Sequence, residues 1–166
     1  MEDELRYMST HDSLTDLYNR AFFEVELARF ERGRIFPVSI VMADVDGLKT
    51  VNDTRGHRAG DELLKRAAQV LREAFRTDDV VARIGGDEFA VILPGADIRV
   101  VERIIGRGRE SIGEHNEDYP DFPLSMSLGT AEGEKGDLLV NVQRRADTLM
   151  YEEKLQKKGE KRGQAT

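Results

Sequence analysis

Cysteine is absent from the 166 residues, which excludes a disulfide framework, a thiol nucleophile and a thiolate metal site. Long apolar runs are absent too. None approaches the roughly 18 residues that would span a bilayer, and no signal peptide is visible. A cytoplasmic location is therefore expected, whether for a whole protein or for the cytoplasmic piece of a longer one, with no membrane contact by this segment. Positive charge is in deficit: 25 Lys and Arg against 32 Asp and Glu leave a net charge of −7. That balance argues against a general nucleic-acid surface, so an anionic ligand has to be held by a few placed cations or a metal. Two nucleotide signatures are also missing, the Gly-x-x-x-x-Gly-Lys-Ser/Thr phosphate loop and a Gly-x-Gly-x-x-Gly after a strand. The three histidines are unclustered, and no Ser/His/Asp arrangement is suggested.

What is present is ordinary for a single globular domain, 39% hydrophobic and 34% charged. Residues 1–10 read as the end of a connecting helix that leads in from an upstream sensor or receiver domain. Residues 11–158 form the domain, and 159–166 a lysine-bearing flexible tail. Asp, Ser, Thr and Asn crowd residues 11–20, as turns and helix caps require. Phe22, Phe23, Leu27 and Phe30 then follow at helical spacing. Val38 to Ala43 reads as a buried strand ended by Asp44 and Asp46. Residues 50–60 read as irregular. Leu63, Ala67, Val70, Leu71, Ala74 and Phe75 mark one face of a strong helix. A third helical pattern carries Val100, Val101, Ile104 and Ile105, weakened by three glycines. Leu124, Met126 and Leu128 alternate with Ser125 and Ser127 as a strand with one polar face. Leu139, Val142, Ala146 and Met150 belong to a final amphipathic helix.

Between the second and third strand patterns stands Arg83-Ile84-Gly85-Gly86-Asp87-Glu88-Phe89. A glycine pair between apolar runs signals a tight hairpin, with the glycines free to take φ > 0. Read alone, it fits a solvated surface turn as well as a site where phosphate and a divalent cation approach the backbone. The order strand, helix, strand, strand, helix, strand supplies the context. It matches a split βαβ, or ferredoxin-like, α+β sheet flanked by helices, in which the first and third strands are antiparallel neighbours. Asp44 and Asp46 then converge with Asp87 and Glu88 on one sheet edge. Such carboxylates stay ionised together only with a cation between them, and an all-oxygen set favours Mg²⁺ or Mn²⁺ over zinc.

These residues resemble the GGDEF diguanylate cyclases, whose namesake motif stands here as Gly85-Gly86-Asp87-Glu88-Phe89. The likeness includes Asp12-Ser13-Leu14-Thr15 with Asn19-Arg20, and Asp44-Val45-Asp46 with Lys49 and Asn52-Asp53. It continues through Gly56-His57, Gly60-Asp61-Glu62-Leu63-Leu64, Ala146-Asp147 and Leu149-Met150-Tyr151 with Lys154. The resemblance implies a fold similar to nucleotidyl cyclase and polymerase palm domains. It also implies condensation of two GTP molecules into cyclic di-GMP and two pyrophosphates, two Mg²⁺ (or Mn²⁺) ions per active site, and a homodimer that brings two nucleotide sites face to face.

Carried over by residue, the resemblance makes Asp44, Asp87 and the Val45 carbonyl metal ligands. Glu88 becomes a second metal ligand or the group that deprotonates the attacking 3′-hydroxyl. Asn52 and Asp61 become guanine readers, since an amide and a carboxylate match guanine's hydrogen-bonding edge. Lys49 and Lys154 become triphosphate contacts, with Gly85 and Gly86 keeping the turn open for phosphate. Lys158, four residues after Lys154, stands in for an arginine that the family usually carries. Arg76-Thr77-Asp78-Asp79 matches the Arg-x-x-Asp product-inhibition site, with Arg107 as a further contact. Asp16 and Leu48 depart from the usual glycine and phenylalanine. Two other readings compete with the cyclase: a catalytically weak GGDEF module that senses cyclic di-GMP or GTP, and a palm-like nucleotidyltransferase acting on a polynucleotide.

Overall fold

The computed structural model describes residues 2–164. Met1 and residues 165–166, the outer ends of the expected connecting helix and tail, lie outside the described residues. Ten elements follow in order: α1 (Glu2–Thr10), α2 (Arg20–Glu31), β1 (Val38–Val45), α3 (Leu48–Arg55), α4 (His57–Ala74), β2 (Val80–Arg83), β3 (Glu88–Pro94), α5 (Ile98–Asp118), β4 (Met126–Gly133) and α6 (Leu139–Gln164). The four strands form one antiparallel sheet in the order β2-β3-β1-β4. This is the α+β, split βαβ arrangement that the sequence order implies.

Strand alternation distributes the core over two faces. Val41, Ala43 and Val45 of β1 pack with Phe89, Val91, Leu63, Ala67 and Ile104 under α4 and α5. Val38, Ile40 and Met42 turn the other way, onto Phe23, Leu27, Leu139, Val142 and Ala146 of α2 and α6. Covered on both faces, β1 is buried at all eight positions, which explains its continuous apolar run. The same alternation puts Asp44 on the α6 side of the sheet, and Asp46, in the turn after β1, also meets α6. Helix starts follow from side-chain caps: Asn19 accepts from the Phe22 amide at 2.9 Å, and Asp97 from the Val100 amide at 3.0 Å.

Helix α6 approaches the sheet closely at Gly129, where an added Cβ would lie 2.0 Å from the Ala146 carbonyl oxygen and 2.3 Å from the Met150 amide nitrogen. Only glycine allows this approach, and it sets the height of α6 over β4.

Three expectations need correction. Residues 50–60 are not irregular. Asn52, Asp53 and Thr54 have modest helix propensity, but Leu48 and Val51 pack on the core and hold α3 in place, with Gly56 at φ 91° turning the chain into α4. The lysine-bearing segment after Lys157 continues α6 to Gln164 instead of ending the order at 158. Gly85 and Gly86 do not take positive φ, which falls on Gly47, Gly56, Gly95 and Gly136. The hairpin is closed by backbone and side-chain bonds instead: Ile84 N–H donates to the Glu88 carbonyl at 2.9 Å, and Arg83 Nη2 to the Gly86 carbonyl at 2.8 Å. The polar face expected of β4 includes Ser127, which is fully buried and donates to Asp46.

Candidate active site

Register alone builds the centre of the site. Asp44 at the end of β1 sits opposite Glu88 at the start of β3, and the Val45 amide donates to the Asp87 carbonyl at 2.9 Å. Asp44 and Glu88, 44 positions apart in sequence, are therefore fixed together by strand pairing. Asp44 is 6% exposed. Its Oδ2 accepts from Lys154 Nζ at 2.9 Å, whereas its buried Oδ1 has no hydrogen-bond partner. Burial, helped by the neighbouring Asp87 carboxylate and opposed by Lys154, pushes the Asp44 carboxyl up to about 6. Burial also raises Glu88, with the charges of Asp147 and Asp87 adding to it.

Asp46, two residues on, has the opposite surroundings. Ser125 Oγ donates to it at 2.7 Å, Ser127 Oγ at 2.8 Å and Lys157 Nζ at 3.0 Å. Burial works against its charge, but these donors hold its carboxyl below the ordinary range. Asp46 thus lies on the expected edge without joining the Asp44–Asp87 pair.

Two open clefts meet at this edge. One, of about 450 Å³, is lined by Asp44, Glu88, Asp147, Tyr151, Lys154 and Lys158 among others. The second, of about 430 Å³, is bounded by Asp46, Gly47, Thr50, Ser125 and the α6 lysines at 154, 157, 158 and 161. Lys154 and Lys158 border both. An acidic cleft beside a basic one is what a cation-bound triphosphate requires. Gly85 leaves room beside Glu88, since a Cβ there would lie 3.4 Å from its carboxylate.

Residues suited to base reading lie on the helical pair α3 and α4. A Cβ on Gly60 would fall 1.8 Å from Asn52 Oδ1, so the glycine in α4 admits the Asn52 side chain next to Asp61. Asn52 is half-buried and Asp61 exposed. Lys49 is exposed in the first turn of α3.

Arg76 and Asp79 close the C-terminal end of α4. The Asp79 side chain is wholly buried, and Arg76 occupies both its oxygens: Nη2 binds Oδ1 at 2.9 Å, and the backbone amide binds Oδ2 at 2.8 Å. They border a hollow of about 360 Å³ that also includes His11, Asp16, Tyr18 and Arg72. Arg107 is exposed on α5 and does not line this hollow.

The sequence reading missed several groups that hold the site. Lys157 lies three residues after Lys154, on the same face of α6, and that spacing was the available signal. Arg83 bridges the hairpin to the N-terminal turn, donating to Gly86 and, through Nη1, to Asp12 at 3.2 Å. Asp16 has φ 63°, which accounts for the glycine expected there, and its side chain accepts from the Tyr7 hydroxyl. Asp147 acts on Glu88 by charge.

A metal suits the donors present. Among the described residues no group of three His, Asp or Glu side chains forms a ready-made cage. An unpaired buried oxygen of Asp44 beside Asp87 is instead an open carboxylate pair. Mg²⁺ is commonly held this way, by one or two carboxylates with phosphate and water completing its shell.

Edge carboxylates and a basic cleft thus sit together at one edge of a split βαβ sheet flanked by helices. The family described as diguanylate cyclase, GGDEF domain matches residues 9–160, and the chain belongs to it. The diguanylate cyclase TpbB of Pseudomonas aeruginosa is 37% identical over an alignment of 174 positions, covering 98% of this chain and 40% of that protein. The probable diguanylate cyclase DgcT of Escherichia coli K12 is 32% identical, covering 86% and 33%. The chain therefore spans about a third to two fifths of the length of these relatives. Among solved structures, the isolated GGDEF domain of TpbB superposes with a TM-score of 0.76 at 36% identity, covering 88% of this chain and 89% of that one. The coiled-coil and GGDEF region of DgcB from Caulobacter crescentus, in complex with c-di-GMP, gives 0.80 at 28% identity, covering 90% and 83%.

Proposed function

We propose that the chain is the catalytic domain of a Mg²⁺- or Mn²⁺-dependent diguanylate cyclase, working as a cytoplasmic homodimer. The observation that carries this reading is the buried, unpartnered Oδ1 of Asp44 beside Asp87 and across from Glu88. A structural carboxylate so placed costs stability unless something binds it. A cation held by Asp44, Asp87 and the Val45 carbonyl would polarise the α-phosphate and lower the charge opposing attack.

The chain's own groups divide the remaining work. Asn52 and Asp61 hold guanine, and a base lacking its edge would leave them unpaired. Lys49, Lys154 and Lys158 take the triphosphate. Gly85 and Gly86 carry no side chain to obstruct it. Glu88, its proton affinity raised by burial, receives the proton of the 3′-hydroxyl. The 3′-oxygen held by one protomer then attacks the α-phosphorus held by its partner. A P–O bond forms, the bond to the β-phosphate bridge breaks, and pyrophosphate leaves. A second such step closes the ring. Alignment of the two nucleotides supplies much of the acceleration.

Product inhibition is read at Arg76 and Asp79. Because the Asp79 carboxylate is fully engaged with Arg76, the exposed guanidinium edge is the group that meets product, and Arg107 supplements it from α5. An upstream sensor or receiver acts through α1.

The test is incubation of the chain with GTP and Mg²⁺ or Mn²⁺ over a range of protein concentrations, with chromatographic identification of product. Cyclic di-GMP should form at a rate rising more steeply than protein concentration. No product at high concentration, with tight cyclic di-GMP binding, would replace the cyclase by the sensor reading. Arg76→Ala should keep turnover and relieve product inhibition; persistent inhibition would remove Arg76 from that role.

A further inference from the structure

The proposed chemistry gives no task to Lys157 or Asp46, yet they belong to the most completely bonded polar cluster at the site. We infer that Lys157 is a positioning residue: with Asp46, Ser125 and Ser127 it locks α6 against the tip of β1, and so places Lys154 on Asp44. The inference rests on the cyclase reading of the neighbouring site.

Lys157 lines the basic cleft and by position alone would pass for another phosphate contact. Its bonds say otherwise. Nζ donates to the Met126 carbonyl at 2.6 Å and to Asp46 Oδ2 at 3.0 Å, with Ser125 Oγ at 3.4 Å and Glu153 Oε1 at 3.5 Å as its remaining neighbours. An ammonium has three donors, and these acceptors use them all. Asp46 is equally committed, with Ser125 and Lys157 on one oxygen and Ser127 on the other. The cluster joins three elements: α6 through Lys157, β4 with its lead-in through Ser125, Met126 and Ser127, and the end of β1 through Asp46. Asp46 N–H also donates to the Ser125 carbonyl at 2.8 Å, so both backbone and side chain fix this turn. Lys154 sits one turn earlier on the same helical face and reaches Asp44. Rotation or sliding of α6 would move Lys154 off Asp44 and shift Gly47 at the mouth of the cleft.

Lys157→Met, Asp46→Asn and their combination separate positioning from phosphate contact. Each single variant should lower kcat about tenfold while the KM for GTP stays within about threefold. The double variant should be no worse than the poorer single one, because both break one lock. Lys157→Arg, which can still bridge Asp46, should recover most of kcat. Lys158→Met should instead raise KM. A raised KM at unchanged kcat in Lys157→Met, or losses that multiply in the double variant, would make Lys157 a phosphate contact and overturn the inference. Unchanged kcat in both single variants would reduce the cluster to scaffolding and overturn it as well.

Backbone amide NMR shifts of Val45, Gly47 and Lys154 provide a readout that needs no turnover. The two single variants should move the same amides in the same direction, and unrelated shift patterns would count against the lock. If the wild-type chain made no cyclic di-GMP, the cyclase reading would fall and the NMR comparison alone would decide the positioning claim.

Discussion

Asp44, near the end of β1, and Asp46, in the turn just after it, lie two residues apart, and each receives a lysine from α6. They nevertheless represent opposite solutions. Around Asp46 both oxygens are bonded, ionisation is favoured, and the carboxylate behaves as a structural joint. Around Asp44 one oxygen is buried without a partner and ionisation is disfavoured, as the proposed cation site would require. Composition does not separate the two; satisfaction of their hydrogen bonds does. Arg66 shows where this criterion needs care. Its Nη2 is also buried and unpaired, but its guanidinium lies 4.7 Å from the Tyr119 ring centre and 5.1 Å from that of Phe122. Aromatic faces offset part of that cost. An orphaned polar atom points to a site more strongly when its residue lines an open cleft, as Asp44 does, than when it lies against aromatic rings.

The contrast can be broken most sharply at Asp44. Asp44→Asn should cut cyclic di-GMP formation about a thousandfold, on the order of 4 kcal/mol in the barrier, without lowering the melting temperature. Turnover within tenfold of wild type would show that the unpaired oxygen is incidental. Gly129→Ala should disturb both aspartates together. Its Cβ would press on the backbone of α6, costing about 2–3 kcal/mol in denaturant unfolding and displacing Lys154 and Lys157. A variant as stable as wild type would mean that α6 can rise without penalty. Gly60→Ala leaves both carboxylates alone and pushes Asn52 aside, so the KM for GTP should rise about tenfold at nearly constant stability; an unchanged KM would remove Asn52 from base reading. Ser127→Ala takes one donor from Asp46 and should cost about 1 kcal/mol with little change in metal dependence.

The smallest effect concerns His115, beside Arg66. Burial and the Arg66 charge hold its imidazole below the usual range. A depressed folded-state pKa means that the unfolded chain binds more protons there. Stability should therefore fall as pH drops through the unfolded value near 6.5, and His115→Gln should flatten that slope in thermal melts between pH 7.5 and 5. An equally steep slope in the variant would place the titration elsewhere.

Much of this molecule is legible in its sequence because its signals are local or periodic. The continuous apolar run of β1, the one-faced pattern of α4 and the glycine pair before Asp87-Glu88 give the order of elements, and that order gives the strand neighbours. The pairing of Asp44 with Glu88 follows from topology alone. Other features were not legible because tertiary contact decides them. Helix α3 forms from residues that favour turns, since Leu48 and Val51 find the core. The hairpin glycines avoid positive φ, and Arg83 bonds the Gly86 carbonyl across the turn. Lys157 meets the strand ends because it shares the inward face of α6 with Lys154, whereas Lys158 is turned about 100° further around the helix. Of Lys157 and Lys158 the sequence reading offers Lys158 alone, and packing brings in Lys157.

The reach of Arg83 has a mechanical consequence. The same guanidinium holds the Gly86 carbonyl at the tip of the hairpin and Asp12 in the turn that receives α1, while Tyr7 and His11 stack where that helix enters, their ring centres 3.7 Å apart. A torque along α1 would therefore meet the Gly85-Gly86 hairpin after a single side chain, the Arg83 guanidinium. Entry helix and hairpin behave as the two arms of one short lever.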